Sequence, residues 1–193
     1  VDLYQTYTTR NHLDIGVGTG YFLDKCELDK DELAFNTRLA LMDLNPNSLA
    51  TAAKRLDRFQ PETYQANILE PLTESIAQPI PKFSSISANY LLHCLPGSIY
   101  DKSMVFNNIA SLLQPRGHVF GATLLGKDQP MSGTARKLME IYNRKGIFCN
   151  REDDEQGLQD VLNAYFEKVI INVHGCLAVF VAHGLKGPVA SLH

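Results

Sequence analysis

A glycine-rich segment near the start of the chain constrains the fold most. The short apolar run His12–Gly16 is followed by glycines at every second position, Gly18 and Gly20, and then by helical residues. This order is typical of the first strand–turn–helix unit of a parallel α/β sheet. Glycines permit a tight turn and let a ligand approach the backbone closely. The segment therefore predicts a nucleotide-containing ligand at the carboxyl end of the first strand.

The rest of the chain alternates between extended apolar runs and helical spacing. For example, Asn45 and Pro46 form a helix start, and apolar residues then fall on one helical face from Leu49 to Leu56. Further helices are predicted within 101–113, 135–142 and 158–165. This alternation predicts a doubly wound, mostly parallel sheet. Its strands are predicted at His12–Gly16, Arg38–Asp43, Glu62–Asn67, Phe83–Asn89, His118–Leu125, Lys168–Val173 and Cys176–Ala182.

The last two predicted strands must pair differently from the others. Only His174 and Gly175 separate them, whereas a parallel crossover needs about a dozen residues. They are therefore expected to form an antiparallel hairpin at one edge of a seven-stranded sheet. We predict a single α/β domain over residues 1–193. Because about eleven residues precede the first strand, we also expect a longer N-terminal cap in the native chain.

Composition excludes several classes of partner. The chain has 18 basic and 21 acidic residues, a net charge of −3, so binding to nucleic acid through charge is disfavoured. No apolar run approaches the ~18 residues of a membrane span. The four cysteines are far apart, which predicts no metal site and a reducing, cytoplasmic location. The acidic run 152–155 is expected to be a solvated loop and first helical turn. A homodimer is left open.

Two acidic residues narrow the choice of ligand. Asp43 ends the second strand, 23 residues after Gly20, where a carboxylate can accept hydrogen bonds from ribose hydroxyls. Asp14 lies inside the first strand, where it would repel a pyrophosphate but would suit a cationic ligand. Tyr21 also stands where the third glycine of the dinucleotide pattern GxGxxG would be. Together these residues favour S-adenosylmethionine, which carries an ammonium and a sulfonium group, over a dinucleotide.

With these motifs the sequence resembles the class I S-adenosylmethionine-dependent methyltransferases, of the small-molecule group called methyltransferase type 12. Residues 14–20 are similar to the first motif of that family, 41–45 to its ribose motif, and 113–117 to its turn before the fifth strand. The resemblance spans nearly the whole chain. It implies a Rossmann-like methyltransferase fold, S-adenosyl-L-methionine as cofactor and S-adenosyl-L-homocysteine as product.

The resemblance also implies a set of cofactor-binding residues. Asn67 stands where the family often has an Asp that contacts the adenine amine, and its amide oxygen can accept the same hydrogen bond. Asn89, at the tip of the fourth strand, is expected to meet the methionine end of the cofactor. The complete expected set is Asp14, Gly16, Gly18, Gly20, Asp43, Leu44, Asn67, Ile68 and Asn89.

Methyl transfer from a sulfonium requires alignment more than acid–base chemistry. A base is needed only when the nucleophile holds its proton at neutral pH. His93 falls just beyond the fourth strand, at the edge where ligands bind in such sheets, and is the candidate base. Tyr90 is the candidate to line the methyl-transfer site. We therefore predict an enzyme that moves a methyl group to an O, N or C nucleophile of a small metabolite by in-line displacement, without a metal.

Two alternatives remain open from the sequence. One is an NAD(P)-dependent oxidoreductase, which would use the same glycine turn for a dinucleotide. The other is a non-catalytic, methyltransferase-like partner module. The intact cofactor motif argues against this alternative. Methyltransferases that act on amino groups of adenine or glutamine often carry the motif [DN]PP[FY] after the fourth strand. Residues 89–92 lack both prolines, so that substrate type is disfavoured.

Overall fold

The computed structural model describes residues 2–26, 37–72 and 78–186. Within them, the chain forms a seven-stranded sheet flanked by helices. The strands are β1 (Asn11–Ile15), β2 (Arg38–Asp43), β3 (Glu62–Gln65), β4 (Phe83–Asn89), β5 (Leu113–Leu124), β6 (Phe166–His174) and β7 (Leu177–Leu185). The helices are α1 (Asp2–Tyr7), α2 (Tyr21–Asp24), α3 (Pro46–Arg55), α4 (Ser103–Leu112), α5 (Gly133–Arg144) and α6 (Glu155–Tyr165).

The strand order is β3-β2-β1-β4-β5-β7-β6. The five strands from β3 to β5 pair in parallel, whereas β7 is antiparallel to both β5 and β6. The predicted doubly wound sheet with its antiparallel C-terminal hairpin is therefore confirmed. Because the chain runs outward from β1 in one direction and from β4 in the other, the switch point lies between these two strands. Ligands of open α/β sheets bind at the carboxyl ends of such strands.

The start of β5 differs from the sequence-based expectation. The strand begins at Leu113 rather than at His118, directly after α4. Its pairing with β4 shifts between Phe83, which faces Leu113, and Ser85, which faces His118. The intervening residues bulge out of the ladder because Pro115 has no N–H to donate. The turn that the resemblance implied at 113–117, before the fifth strand, is thus a bulge inside that strand.

The sheet separates two apolar clusters, and β1 contributes to both. Leu13 and Ile15 belong to the cluster on the side of α4 and α6. Their neighbours His12 and Asp14 face the other cluster, which contains Tyr4 and residues of α3. Since successive side chains of a strand point to opposite faces, the sequence places two polar, titratable groups in a buried layer.

Local capping explains where several helices begin. The Asn45 side chain accepts a hydrogen bond from the Asn47 amide at 2.9 Å, and Pro46 occupies the first position of α3, as predicted. Asp154 caps α6 in the same way, accepting from the Gly157 amide at 2.8 Å. Its neighbour Asp153 is fully buried, so the acidic run is only partly the solvated turn that the sequence suggests.

Two further observations concern the described residues as a whole. No helix within 2–26, 37–72 and 78–186 is long and apolar enough to cross a membrane. In the same part of the chain, the cysteines form no disulfide.

Candidate functional site

A cavity of about 240 Å³ opens at the carboxyl ends of β1 and β2, beside the residues that follow β4. Its walls are largely apolar, with Asp43 and Asn67 as polar exceptions. Six of the residues predicted from the sequence line it: Gly16, Asp43, Leu44, Asn67, Ile68 and Tyr90. The lining is completed by Ile15, Met42, Ala66, Leu91, Cys94 and Leu95.

The glycine turn forms one side of this cavity. Gly16 has a φ of +68°, which favours glycine, and a Cβ there would lie 2.8 Å from Leu91 Cδ1, so that a larger residue would also require this leucine to move. Gly18 has a φ of +55°, and a Cβ there would have nothing within 4 Å. Its backbone therefore faces open space that a ligand can enter. Gly20 instead packs against α3, with Ala52 Cβ 3.2 Å from a Cβ built on it.

Asp43 ties the glycine turn to the end of β2. Its Oδ2 accepts a hydrogen bond from the Gly18 amide at 3.0 Å, and its Oδ1 accepts one from the Asn45 amide at 2.9 Å. An ionised carboxylate has about four acceptor sites, so each oxygen can accept a further hydroxyl. The pair of bonds holds the carboxylate in one orientation at the cavity wall, where it can bind a diol such as a ribose.

The wall formed after β3 combines one amide with apolar side chains. Asn67 Oδ1 accepts from the Leu69 amide at 3.1 Å, while Nδ2 donates to Glu70 Oε1 at 2.7 Å. The oxygen keeps one lone pair for an additional donor. Ile68 is buried, whereas Leu44 is 61% exposed at the rim. An exposed leucine opposite a buried apolar wall can sandwich a flat ring such as a purine.

Asp14 lies in the buried layer on the other face of β1. Its Oδ1 accepts hydrogen bonds from the Tyr4 hydroxyl at 3.0 Å and from Ser87 Oγ at 2.5 Å. Burial raises the pKa of this carboxyl to about 7, although both hydrogen bonds oppose the shift. Asn89 Nδ2 is also buried. It approaches the Tyr4 hydroxyl closely enough to oppose the rise in the pKa of that phenol, but it makes no well-formed hydrogen bond with the described residues. The two side chains offer an acceptor and a donor in one place.

These features fit the cofactor expected from the sequence. The apolar cleft suits an adenine, and Asp43 suits a ribose. A buried donor without a partner is costly unless a ligand or water satisfies it, and Asn89 Nδ2 would meet the carboxylate of an amino acid. Asp14 would then face the ammonium group of the same amino acid.

Tyr90 follows β4 in an unusual backbone conformation. Its φ is +53°, which few non-glycine residues adopt, and its amide donates to the Ala122 carbonyl at 2.7 Å. The ring is 42% exposed and stacks on Phe22 with 5.8 Å between centroids. Strained backbone of this kind is concentrated at functional sites. Tyr90 therefore combines a strained backbone with a partly exposed side chain that lines the cavity.

His93 sits behind Tyr90 and is more enclosed than its sequence position suggests. It is 3% exposed, and its ring packs edge-on against Phe148 at 4.7 Å. Burial lowers its pKa to about 4, so the ring is neutral at pH 7. Its Nδ1 lies 3.4 Å from Thr123 Oγ1 and 3.4 Å from the Leu124 amide nitrogen. His93 is not among the residues that line the 240 Å³ cavity.

Sequence reasoning missed several residues that shape the site. Met42 looks like an ordinary core residue in the sequence, yet it forms a wall of the cavity. Ser87, which bonds to Asp14, carried no motif signal; its one clue is the alternation of serines along β4.

A second cavity, of about 570 Å³, also lies after β5. Gly126, Asp128, Gln129, Pro130, Met131, Arg136, Met139, Glu140, Asn143 and Arg151 line it.

Comparison with known proteins points to methyltransferases. A family profile described as "Methyltransferase domain" matches residues 13–119, more than half of the chain. The chain is 40% identical to demethylluteothin O-methyltransferase of Streptomyces thioluteus over 179 residues, which cover 92% of this chain and 74% of that protein. It is 37% identical to the N-methyltransferase vrtF of Penicillium aethiopicum, covering 88% of this chain and 68% of that protein.

Solved structures share the fold at low sequence identity. The N-methyltransferase NodS from Bradyrhizobium japonicum WM9, in complex with S-adenosyl-L-homocysteine, matches with a TM-score of 0.63 at 15% identity, over 95% of this chain and 82% of that one. The CurJ carbon methyltransferase matches with a TM-score of 0.68 at 13% identity, over 95% of this chain. This chain spans about half, 51%, of the CurJ chain.

Proposed function

Because this chain belongs to the S-adenosylmethionine-dependent methyltransferase family, we propose that it methylates an O, N or C nucleophile of a small-molecule metabolite by in-line displacement. One observation carries the proposal. The Asp43 carboxylate, fixed by the Gly18 amide, lies in an apolar cavity at the carboxyl edge of the sheet. When bound there, S-adenosylmethionine supplies an electrophilic methyl group on a sulfonium.

The cofactor-binding roles of this chain follow from the placement of its polar groups. Asp43 accepts the ribose hydroxyls, and the Asn67 amide oxygen accepts the adenine amine. Leu44 and Ile68 cover the two faces of the ring. On the other side of the glycine turn, Asp14 and Asn89 bind the amino-acid end, while Gly16 and Gly18 let the ligand approach the backbone. Gly20 supports the turn through its packing on α3.

The acceptor would bind beside Tyr90, whose partly exposed side chain lines the cavity. A row of rings leads inward from it: Phe22 stacks on Tyr90, and His93 lies between Tyr90 and Phe148. Such a lining excludes water and suits a small, partly apolar acceptor. We propose oxygen as the first nucleophile to test, because an O-methyltransferase is among the relatives that match most of this chain.

His93 is proposed as the base when the nucleophile holds its proton. A base at Nε2 needs the ring hydrogen on Nδ1, where the Thr123 hydroxyl can accept it. The Leu124 amide points to the same nitrogen and favours the opposite tautomer. Thr123 is therefore proposed to set whether His93 can accept a proton. Thr123→Val should lower the rate with weakly acidic hydroxyl acceptors, which hold their proton at neutral pH, by a larger factor than it lowers cofactor affinity.

The proposal is tested by calorimetric titration of the purified chain with S-adenosylhomocysteine and, separately, with NAD. Binding of S-adenosylhomocysteine, weakened in Asp43→Ala, supports it. Binding of NAD alone would contradict it and favour the oxidoreductase.

A second measurement separates an enzyme from a non-catalytic module. Radioactive methyl transfer from S-adenosylmethionine is followed with panels of phenols, amines and activated carbon acids. Transfer to one class identifies the nucleophile, with Tyr90→Ala as the acceptor-side variant. Cofactor binding with no transfer to any class would argue for the non-catalytic module.

A further inference from the structure

A continuous chain of buried hydrogen bonds leads to Asp14 along β1 and β4. The Thr9 amide donates to Ser85 Oγ at 2.9 Å. Ser85 Oγ lies 2.8 Å from His12 Nδ1, and His12 Nε2 lies 3.0 Å from Ser87 Oγ. Ser87 Oγ then donates to Asp14 Oδ1 at 2.5 Å. The imidazole of His12 therefore bridges two serines, one of which touches the carboxylate.

The direction of each bond follows from counting hydrogens. A serine hydroxyl has one hydrogen, and Ser87 gives it to Asp14, so Ser87 can only accept from His12. The ring must then carry its hydrogen on Nε2, which leaves Nδ1 bare. Nδ1 can then accept the hydrogen of Ser85, whose oxygen accepts from the Thr9 amide. Thr9 Oγ1, also 2.8 Å from Ser85 Oγ, is a second acceptor for that hydrogen, but it does not change the assignment at Nε2. His12 is fully buried, and burial lowers its pKa to about 3, so a second ring hydrogen is absent at neutral pH.

We propose that His12 is a positioning residue for cofactor binding. By donating from Nε2, it commits the Ser87 hydrogen to Asp14 and keeps that carboxylate ionised when the ammonium group of the cofactor arrives. This inference rests on the proposed function, because the cofactor role of Asp14 is part of it.

The surroundings of Asp14 make its charge sensitive to a single hydrogen bond. Its pKa, raised to about 7 mainly by burial, lies in the physiological range, so a small change in stabilisation changes the fraction ionised. Tyr4 donates to the same oxygen as Ser87. The titratable groups around Asp14 are Tyr4 on α1, Cys26 after α2 and Asp43 at the end of β2. His118 on β5 is the titratable group that faces His12.

The first test needs no variant and no cofactor. In the protein labelled with ¹⁵N-histidine, long-range ¹H–¹⁵N spectra at pH 8 report which ring nitrogen carries hydrogen. We expect His12 to be the Nε2–H tautomer and Ser87→Ala to lose that preference. An Nδ1–H tautomer in the wild-type chain would overturn the proposal.

The second test measures the carboxyl titration of Asp14 by ¹³C NMR in the same chain. His12→Leu removes both polar contacts and should raise the midpoint by about one pH unit. His12→Gln can still donate to Ser87 and should titrate like the wild type. An equal midpoint in all three proteins would show that His12 fills space only. Should His12→Leu not fold, Ser85→Ala must raise the midpoint by roughly half a unit, and an unchanged midpoint again overturns the proposal.

Cofactor affinity separates this proposal from the proposed function. For S-adenosylhomocysteine, His12→Leu should bind up to about tenfold more weakly than wild type near pH 6.5 and equally at pH 8.5. Equal weakening at both values would indicate a structural effect and contradict the proposal. If the wild-type chain binds no S-adenosylhomocysteine at any pH, the proposed function fails, while the two NMR measurements still decide the role of His12.

Discussion

The Asp43 carboxylate accepts a hydrogen bond from the Gly18 amide at 3.0 Å, across 25 residues of sequence. This bond joins the ends of β1 and β2 at the cavity wall. It also fixes the carboxylate that is proposed to bind the ribose, so one side chain would both organise the turn and contact the cofactor.

Removing this carboxylate should weaken cofactor binding. We expect Asp43→Ala to lose about 1.5–3 kcal/mol of binding free energy for S-adenosylhomocysteine, because a charged acceptor is lost. Calorimetric titration measures the change. Asp57→Ala removes an exposed carboxylate just after α3 and serves as control. Equal affinity in Asp43→Ala and wild type would refute the ribose assignment.

A methyl group on Gly18 should harm both the turn and the cofactor site. The positive φ of this residue makes Gly18→Ala cost about 1–2 kcal/mol in the free energy of unfolding, and the new Cβ would project into the open space. Urea unfolding and calorimetric titration measure the two effects. Gly133→Ala is the matched control, since a Cβ there also meets nothing within 4 Å but its φ is not positive. A neutral Gly18→Ala would contradict the backbone argument.

A buried ion pair supports the segment after β5. Lys102 Nζ lies 2.5 Å from Asp153 Oδ2 and 2.9 Å from the Cys149 carbonyl, and both charged side chains are fully buried. Removing one partner leaves a buried charge, so Lys102→Met should cost about 3–5 kcal/mol. The exposed pair between Lys127 and Asp154 provides the comparison. Urea midpoints should fall strongly in Lys102→Met and stay unchanged in Lys127→Met; similar shifts in both would argue against the burial effect.

Three buried groups with large pKa shifts, His12, His93 and Asp14, should contribute to the pH dependence of stability. His12 and His93 have pKa values lowered by burial to about 3 and about 4, so they stabilise the fold above pH 6.5, and this contribution is lost as the pH falls. Asp14 has a pKa raised to about 7, so it stabilises the fold at low pH, and its contribution is lost as the pH rises. Between pH 4 and 6.5, the unfolded state thus binds about one more proton than the folded state.

This balance predicts how variants change the slope. For these groups, the free energy of unfolding should rise by about 1.4 kcal/mol per pH unit across that window. Asp14→Asn keeps an acceptor for Tyr4 and Ser87 but removes the carboxyl whose titration opposes that of the two histidines. The free energy of unfolding of this variant should therefore rise about twice as steeply with pH. His93→Gln should flatten the slope. Urea unfolding at several pH values measures the slope for the wild type and for both variants. Equal slopes in the three proteins would contradict the assignment of the pH dependence to Asp14 and His93.

Much of the fold could be predicted because its signals are local. The two-residue link predicted at His174 and Gly175 excludes a parallel crossover. The antiparallel hairpin is confirmed, with its two-residue turn at Gly175 and Cys176. The glycine motif at 14–20 indicated the family and the cofactor, and the family match confirms both. The individual site residues stay predictions, although six of them line one cavity.

Other features could not be predicted because they depend on residues far apart in the chain. Asp153 belongs to an acidic run that suggests solvent exposure, but it is buried against Lys102. His93 looks like an accessible base at the edge of the sheet, yet Phe148 encloses it. No local pattern encodes these contacts.

The sequence by itself determined the order of strands and helices, the glycine turn and the acid that ends β2, because periodicity and backbone restrictions act over a few residues. The tertiary structure decided which polar side chains share the buried layer. Ser87 meets Asp14 across 73 residues because β1 pairs with β4 in one register. Burial and hydrogen bonding between such distant residues set the charge of Asp14, and these depend on the packed sheet rather than on any segment of the chain.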